Sequence, residues 1–288
     1  MAKATNKVLV ITGAHPDDES FGAGATLAYY VQKGVKVYYI CATRGEAGEV
    51  APDMLKGYSN IAQLRTYETE CAANALGLQR VIFLGYRDSG MAGSPDNKNP
   101  LAFVNAPVDE IAKKITSHLR ALRPQVIITS DPAGGYHHPD HITIHQATLK
   151  AFNACNDGTQ YPDAGQPYQP QKLYYNVFHH TWMKMSIMIW QLMGRDVHHF
   201  GRNKDIDLMD MLKDEFPVHC VIKLTKQAVE TGNKASSCHA SQLGGGGGPR
   251  RGLRDFVTKL FGYKATFMRA YPPAKRGRKE KDLFEGVK

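Results

Sequence analysis

Two short apolar runs, Val8 to Ile11 and Val126 to Ile128, are each followed within a few residues by a turn rich in histidine and aspartate. Such runs read as parallel strands buried on both faces. The first turn is His15-Pro16-Asp17-Asp18-Glu19 and the second is His138-Pro139-Asp140-His141. In an open α/β sheet the carboxyl ends of the strands converge on one crevice, so clusters distant in sequence can face a common ligand. Apolar runs at 8–14, 35–42, 81–85, 126–130, 172–178 and 218–224 alternate, at first, with helical patterns at 20–33, 60–77, 107–122 and 141–155. This order predicts an α/β fold: a doubly wound, mostly parallel, Rossmann-like sheet with a C-terminal mixed extension. With 288 residues, 42% of them hydrophobic, one large domain over 1–270 is expected. Its parallel half, 1–155, carries the site; 156–270 covers the substrate; 271–288 forms a basic tail.

The residue types suit a hydrolytic metal. A catalytic zinc takes three imidazole or carboxylate ligands and keeps a position open for water. His15, Asp18 and His141 make such a set, and ferrous iron suits the same ligands. A carboxylate beside the metal can take a proton from the attacking water, and Asp17 is the candidate. Spacing alone does not say which of the two aspartates binds. His145 shares a helical face with His141 and is a rival ligand. Glu19 is expected to cap the following helix. Gly22-Ala23-Gly24-Ala25-Thr26 reads as close packing of a small-residue helix on the sheet, because the third glycine of a dinucleotide loop is missing.

Ala14-His15-Pro16-Asp17-Asp18-Glu19 together with Gly134-Gly135-Tyr136-His137-His138-Pro139-Asp140-His141 resembles the LmbE-like, PIG-L-related zinc de-N-acetylases. The resemblance extends to Thr43-Arg44-Gly45-Glu46-Ala47-Gly48, to Arg65, and to Tyr86-Arg87-Asp88-Ser89-Gly90-Met91. It covers roughly the first half of the chain. Within the family the chain looks most like bacterial deacetylases of N-acetylglucosaminyl-inositol in mycothiol synthesis and their sister thiol-conjugate amidases. Phe21-Gly22 stands where the amidases carry a lysine, which favours the deacetylase branch. The resemblance implies metal ligands His15, Asp18 and His141 and a general base Asp17. It makes His138 the general acid or oxyanion stabiliser, oriented and charged by Asp140, with Tyr136 swinging towards the oxyanion. Arg65 and Asp88 match positions that contact a polar headgroup. His137 departs from the glycine common at its position. Lys234, His239, Ser241 and Gln242 echo a C-terminal pattern of the family that would bring His239 to the crevice. The implied partner is a small amino-sugar conjugate. A non-catalytic, metal-containing carbohydrate-binding module is the reading from a different class.

The second half carries fewer signals. Trp182 to Met193 is apolar and methionine-rich but about half the length of a membrane span, so it reads as a helix over the site or at an oligomer contact. The doublets His179-His180 and His198-His199 are candidates for a second metal site. Gly244 to Gly248 reads as a mobile loop. Residues 249–288 hold 12 of the 36 basic and 4 of the 27 acidic residues, leaving 24 against 23 before them. That segment could attract an anionic membrane surface; nucleic acid is not expected as a partner. Five cysteines without a C-x-x-C pair, Cys41 and Cys71 among apolar neighbours, read as reduced thiols in a cytoplasmic protein. The N-terminus is expected to enter its first strand at once, with no cleavable signal and no export implied.

Overall fold

Val8–Gly13 (β1) is half-buried at its first residue and buried thereafter, as a strand covered on both faces should be. It lies parallel to Lys36–Cys41 (β2) on one side and Val126–Thr129 (β4) on the other. Arg80–Phe83 (β3) extends the sheet beyond β2, and Lys172–Asn176 (β5) extends it beyond β4, both in parallel. Tyr263–Tyr271 (β7) then runs antiparallel between β5 and Cys220–Leu224 (β6). The order β3-β2-β1-β4-β5-β7-β6 is thus a doubly wound parallel sheet with a mixed extension. The computed structural model describes residues 6–177, 180–199, 206–243, 263–274 and 277–288. Gly244–Gly248, His179 and Lys275-Arg276 lie outside them.

Alternation along the strands separates two cores. Leu9, Ile11, Val37 and Tyr39 face one side and Val10, Ile40 and Ile127 the other. The expected 20–33 helix is two pieces, Asp18–Phe21 (α1) and Gly24–Gln32 (α2). Ile61–Leu76 (α3) starts at Asn60, whose side chain accepts Gln63 N–H, and stops at left-handed Gly77. Val108–Leu122 (α4) and Pro139–Ala154 (α5) cover the second core. His180–Leu192 (α6) packs in a smaller cluster with Val197 and Leu208, leaving Met185, Met188, Leu192 and Met193 exposed. Among the described residues no helix is long and apolar enough to cross a membrane.

Lys226–Cys238 (α7) has no counterpart in the predicted elements and changes two expectations. The small residues at the start of α2 meet this helix as well as the sheet: a Cβ on Gly24 would lie 3.5 Å from Gly232 Cα, while Ala23 and Ala28 share a core with Leu9 and Val37. Cys71 on α3 is bonded to Cys238 at the end of α7, with Cα atoms 5.8 Å apart. Cys71 and Cys238 are therefore not reduced, and the thiol argument for a cytoplasmic setting loses one of its supports.

The C-terminal segment is also not a detached tail. Glu280 accepts from Lys172 Nζ, Tyr174 Oη and Arg269 Nη1, each at 2.6 Å, and is buried with the first two. Leu283 and Phe284 belong to the first core. Asp282 accepts from Tyr30 Oη at 3.0 Å.

Candidate active site

The strand order reverses between β1 and β4, which opens a crevice at their carboxyl ends. Both histidine-rich turns lie there. After β1 the chain doubles back so that Asp18 Oδ2 accepts the N–H groups of Ala14 at 2.7 Å and His15 at 3.0 Å. Gly13 permits this approach, since a Cβ there would stand 2.9 Å from the Asp18 carboxylate. With Oδ2 committed, Asp18 Oδ1 lies 3.5 Å from His141 Nε2. The same nitrogen is 3.3 Å from His15 Nδ1. Tetrahedral zinc with bonds of about 2.0–2.1 Å separates its ligand atoms by about 3.4 Å. Both of these separations match that spacing, and the three side chains together form a group that could hold one cation.

The outer nitrogens of both rings are held. His15 Nε2 faces Asp140 Oδ2 at 3.1 Å and Asp88 Oδ1 at 3.4 Å. His141 Nδ1 faces Ser130 Oγ at 3.1 Å. Such partners fix the tautomer that leaves the inner nitrogen to a metal. Burial opposes charge on His15, but Asp88 and Asp140 raise its pKa well above the ordinary value and stabilise the Nε2 proton. Burial lowers the pKa of His141, favouring the neutral imidazole that a metal requires. Asp88 is buried; burial disfavours its charge, yet His15 holds its carboxyl well below the usual range. Its carboxylate therefore faces His15.

Asp140 was expected to orient and charge His138, and the structure places its carboxylate elsewhere. Oδ2 accepts Ser89 N–H at 3.0 Å and meets His15, while Oδ1 is buried with no hydrogen-bond partner among the described residues. His138 instead caps α5, its Nδ1 accepting Asp140 N–H at 3.1 Å. The ring proton is then on Nε2. Burial, with His15 and His141 adding to it, pushes the His138 pKa down to about 2. Its ring centroid is 4.5 Å from that of His15, and the Tyr136 ring is 5.7 Å from it. His15, His138 and Asp140 form a second group of metal-capable side chains. We read it as the layer supporting His15, because the His15 and Asp140 atoms are already paired.

Asp17 is the N-cap of α1 at φ 104°, ψ −22°, a left-handed conformation that costs a non-glycine residue about 1–3 kcal/mol. Its Oδ2 accepts from Arg65 Nη2 at 2.9 Å. The same guanidinium donates to Pro16 O at 2.5 Å and Gly45 O at 3.4 Å. Gly45, at φ 71°, has no room for a Cβ against it. Arg65 is only 4% exposed and so is directed at Asp17 rather than outward. Burial pushes the Asp17 pKa up to about 7 against the lowering pull of Arg65.

Glu19 does more than cap. Its Oε2 accepts Asp17 N–H at 3.0 Å, and its Oε1 lies 2.6 Å from His239 Nε2. His239, expected at the crevice, is fully buried behind it. Burial opposes the His239 charge, but Glu19 leaves its pKa raised. His145 turns away from the cation position, bonding Ser130 O at 2.8 Å. His137, at φ 64°, occupies the backbone region that glycine favours and pairs with Asp214 at 2.6 Å. His180 bonds Leu212 O, His198 bonds Asp207 and His199 bonds Asp196. Among the described residues, both metal-capable groups contain His15, and neither includes His180, His198 or His199. Ser130, Ser89 and the inward roles of Glu19 and Arg65 had no signal in spacing, because supporting contacts follow no motif.

The family model described as "PIG-L: GlcNAc-PI de-N-acetylase" matches residues 10–152, a span that contains both turns. A relative from Rhodococcus erythropolis, named 1D-myo-inositol 2-acetamido-2-deoxy-alpha-D-glucopyranoside deacetylase, is 40% identical over 193 residues, 64% of this chain and 65% of its own length. The chain thus spans under two thirds of that relative. A relative of the same name from Geodermatophilus obscurus is 38% identical over 208 residues, 69% of this chain and 70% of its own. Among solved structures, N,N'-diacetylchitobiose deacetylase from Pyrococcus horikoshii superposes with a TM-score of 0.61 at 21% identity, covering 92% of this chain and 83% of that one. GalB, a 4-carboxy-2-hydroxymuconate hydratase from Pseudomonas putida, superposes at 0.59 and 14% identity, covering 94% and 99%. At such identities these likenesses speak for the fold alone. The sequence matches go further, and with both turns inside the matched span this chain belongs to the PIG-L family of GlcNAc-PI de-N-acetylases.

Proposed function

We propose that the protein is a metal-dependent hydrolase that removes the acetyl group from an N-acetylglucosaminyl conjugate, releasing acetate and a free amine. The observation that carries this reading is the convergence of His15 Nδ1, Asp18 Oδ1 and His141 Nε2 in one metal-capable group, with Asp17 adjoining Asp18 in the same turn. Zinc, or ferrous iron, held by these three would polarise the acetamide carbonyl and acidify a water. Asp17 takes a proton from the attacking water; with a pKa near 7 it can later return that proton to the leaving amine. His138, with its proton on Nε2, serves as a donor to the carbonyl oxygen as negative charge develops, which favours the oxyanion half of its expected role. Tyr136, ringed against both His138 and His141, is placed to add a second donor.

The names of the relatives support inositol as the aglycone. A thiol-conjugate amidase would use the same site, and a substrate panel separates the two. The binding-module reading needs a closed fourth ligand, and His145, the rival for that place, is bonded to Ser130 O instead. Metal analysis of the purified protein with acetate release from a panel of N-acetylglucosaminides tests the proposal. Stoichiometric divalent metal and hydrolysis lost in Asp17→Asn are expected. Metal-free active protein, or full activity in Asp17→Asn, would overturn it.

A further inference from the structure

We propose that Glu19 and His239 are positioning residues that hold the backbone of Asp17 in its left-handed conformation; this rests on the reading of Asp17 as the base. Every polar group of Asp17 is tied. Its carboxylate meets Arg65, its carbonyl accepts the N–H groups of Ser20 at 2.8 Å and Phe21 at 2.9 Å, and its N–H donates to Glu19. The last tie is the one that reaches furthest. Glu19 has no exposure and is fixed from behind by His239 Nε2 at 2.6 Å and by Ser20 Oγ at 2.6 Å. His239, 220 positions later, is also fully buried, and the Phe21 ring packs on it with centroids 5.7 Å apart.

The arrangement places the burden on a carboxylate with two accepting oxygens. One must accept the N–H of Asp17 and the other the N–H of His239. Glutamine at position 19 can accept only one of them, since its amide nitrogen has no lone pair to offer, and it keeps the His239 contact only by donating to a ring whose proton has moved to Nδ1. Without the pair, the Asp17 N–H loses its partner and nothing on that side opposes relaxation to an ordinary backbone. A carboxylate displaced by about 1 Å can lose about 100-fold in rate with little change in substrate binding.

The pair is neither a metal ligand nor in reach of substrate, and this separates its effects from those of the ligands. His239→Phe keeps a ring against Phe21 but removes the donor; His239→Gln restores one. Expected for His239→Phe and Glu19→Gln is a fall in kcat of about 10- to 100-fold, with KM and metal stoichiometry within about twofold of the parent. His239→Gln should recover most of the loss. Amide hydrogen exchange over residues 14–21, measured on the same metal-loaded proteins, should quicken at least about tenfold in His239→Phe. A folded His239→Phe with parental kcat and parental exchange would overturn the proposal. So would a loss of kcat that His239→Gln fails to recover while exchange stays slow. If the parent protein releases no acetate from any N-acetylglucosaminide, the deacetylase reading fails, and the exchange measurement still decides whether the pair holds Asp17.

Discussion

Asp140 Oδ2 lies 3.1 Å from His15 Nε2, on the ring nitrogen that does not face His141. Asp140 thus acts on His15, a proposed metal ligand, and leaves His138 to its backbone partner. Removing an outer carboxylate of this kind typically weakens metal affinity about 10- to 100-fold. Asp140→Ala should show that loss when competed against a chelator of known affinity, and unchanged affinity would contradict the assignment.

The Arg65 contact to Asp17 sets a pH dependence. As a base Asp17 must be ionised, so the rate should climb as pH rises through its pKa of about 7 and level off above it. The Arg65 cation lowers that pKa, so replacing it with a neutral side chain raises it further. Arg65→Gln should therefore move the acidic limb of the kcat profile to higher pH. A limb that stays in place, or moves to lower pH, would show that Arg65 acts elsewhere.

What the sequence revealed depended on whether a residue's job is done by its neighbours in the chain. β1 and β4 were legible because a strand buried on both faces has no polar position to interrupt it. The two turns follow those strands directly, so His15, Asp18 and His141 could be placed on one crevice before any coordinates. β7 was missed: Tyr263–Tyr271 is mostly half-buried and carries Lys264 and Arg269, which masks its period. Arg65, Asp88 and His239 were identified as site residues yet assigned outward roles, because identity in a motif does not say which atom a side chain reaches. The pairing of Cys71 with Cys238 spans 167 residues and left no local pattern at all.

That disulfide joins the helix bearing Arg65 to the residue preceding His239. A bridge closing so long a loop contributes about 2–5 kcal/mol by restricting the unfolded chain. Cys71→Ser should lower the guanidinium unfolding free energy by that amount, and adding dithiothreitol to the parent should reproduce the effect. A parent protein indifferent to reductant would argue that the bond does not form.

Glu280 is the acceptor for two cations, buried Lys172 and half-buried Arg269. Glu280→Ala strands both, and breaking a buried pair on one side costs about 3–5 kcal/mol. Urea unfolding should register the loss with metal content unchanged, whereas a drop under about 1 kcal/mol would mean that water reaches the cluster.

Every atom that fits the cation belongs to residues 15 to 141, while the group that braces the base comes from residue 239. Ribosomal synthesis delivers these in order. On the proposed reading, a nascent chain would therefore have emitted all its candidate ligands about a hundred residues before the residue that braces the base.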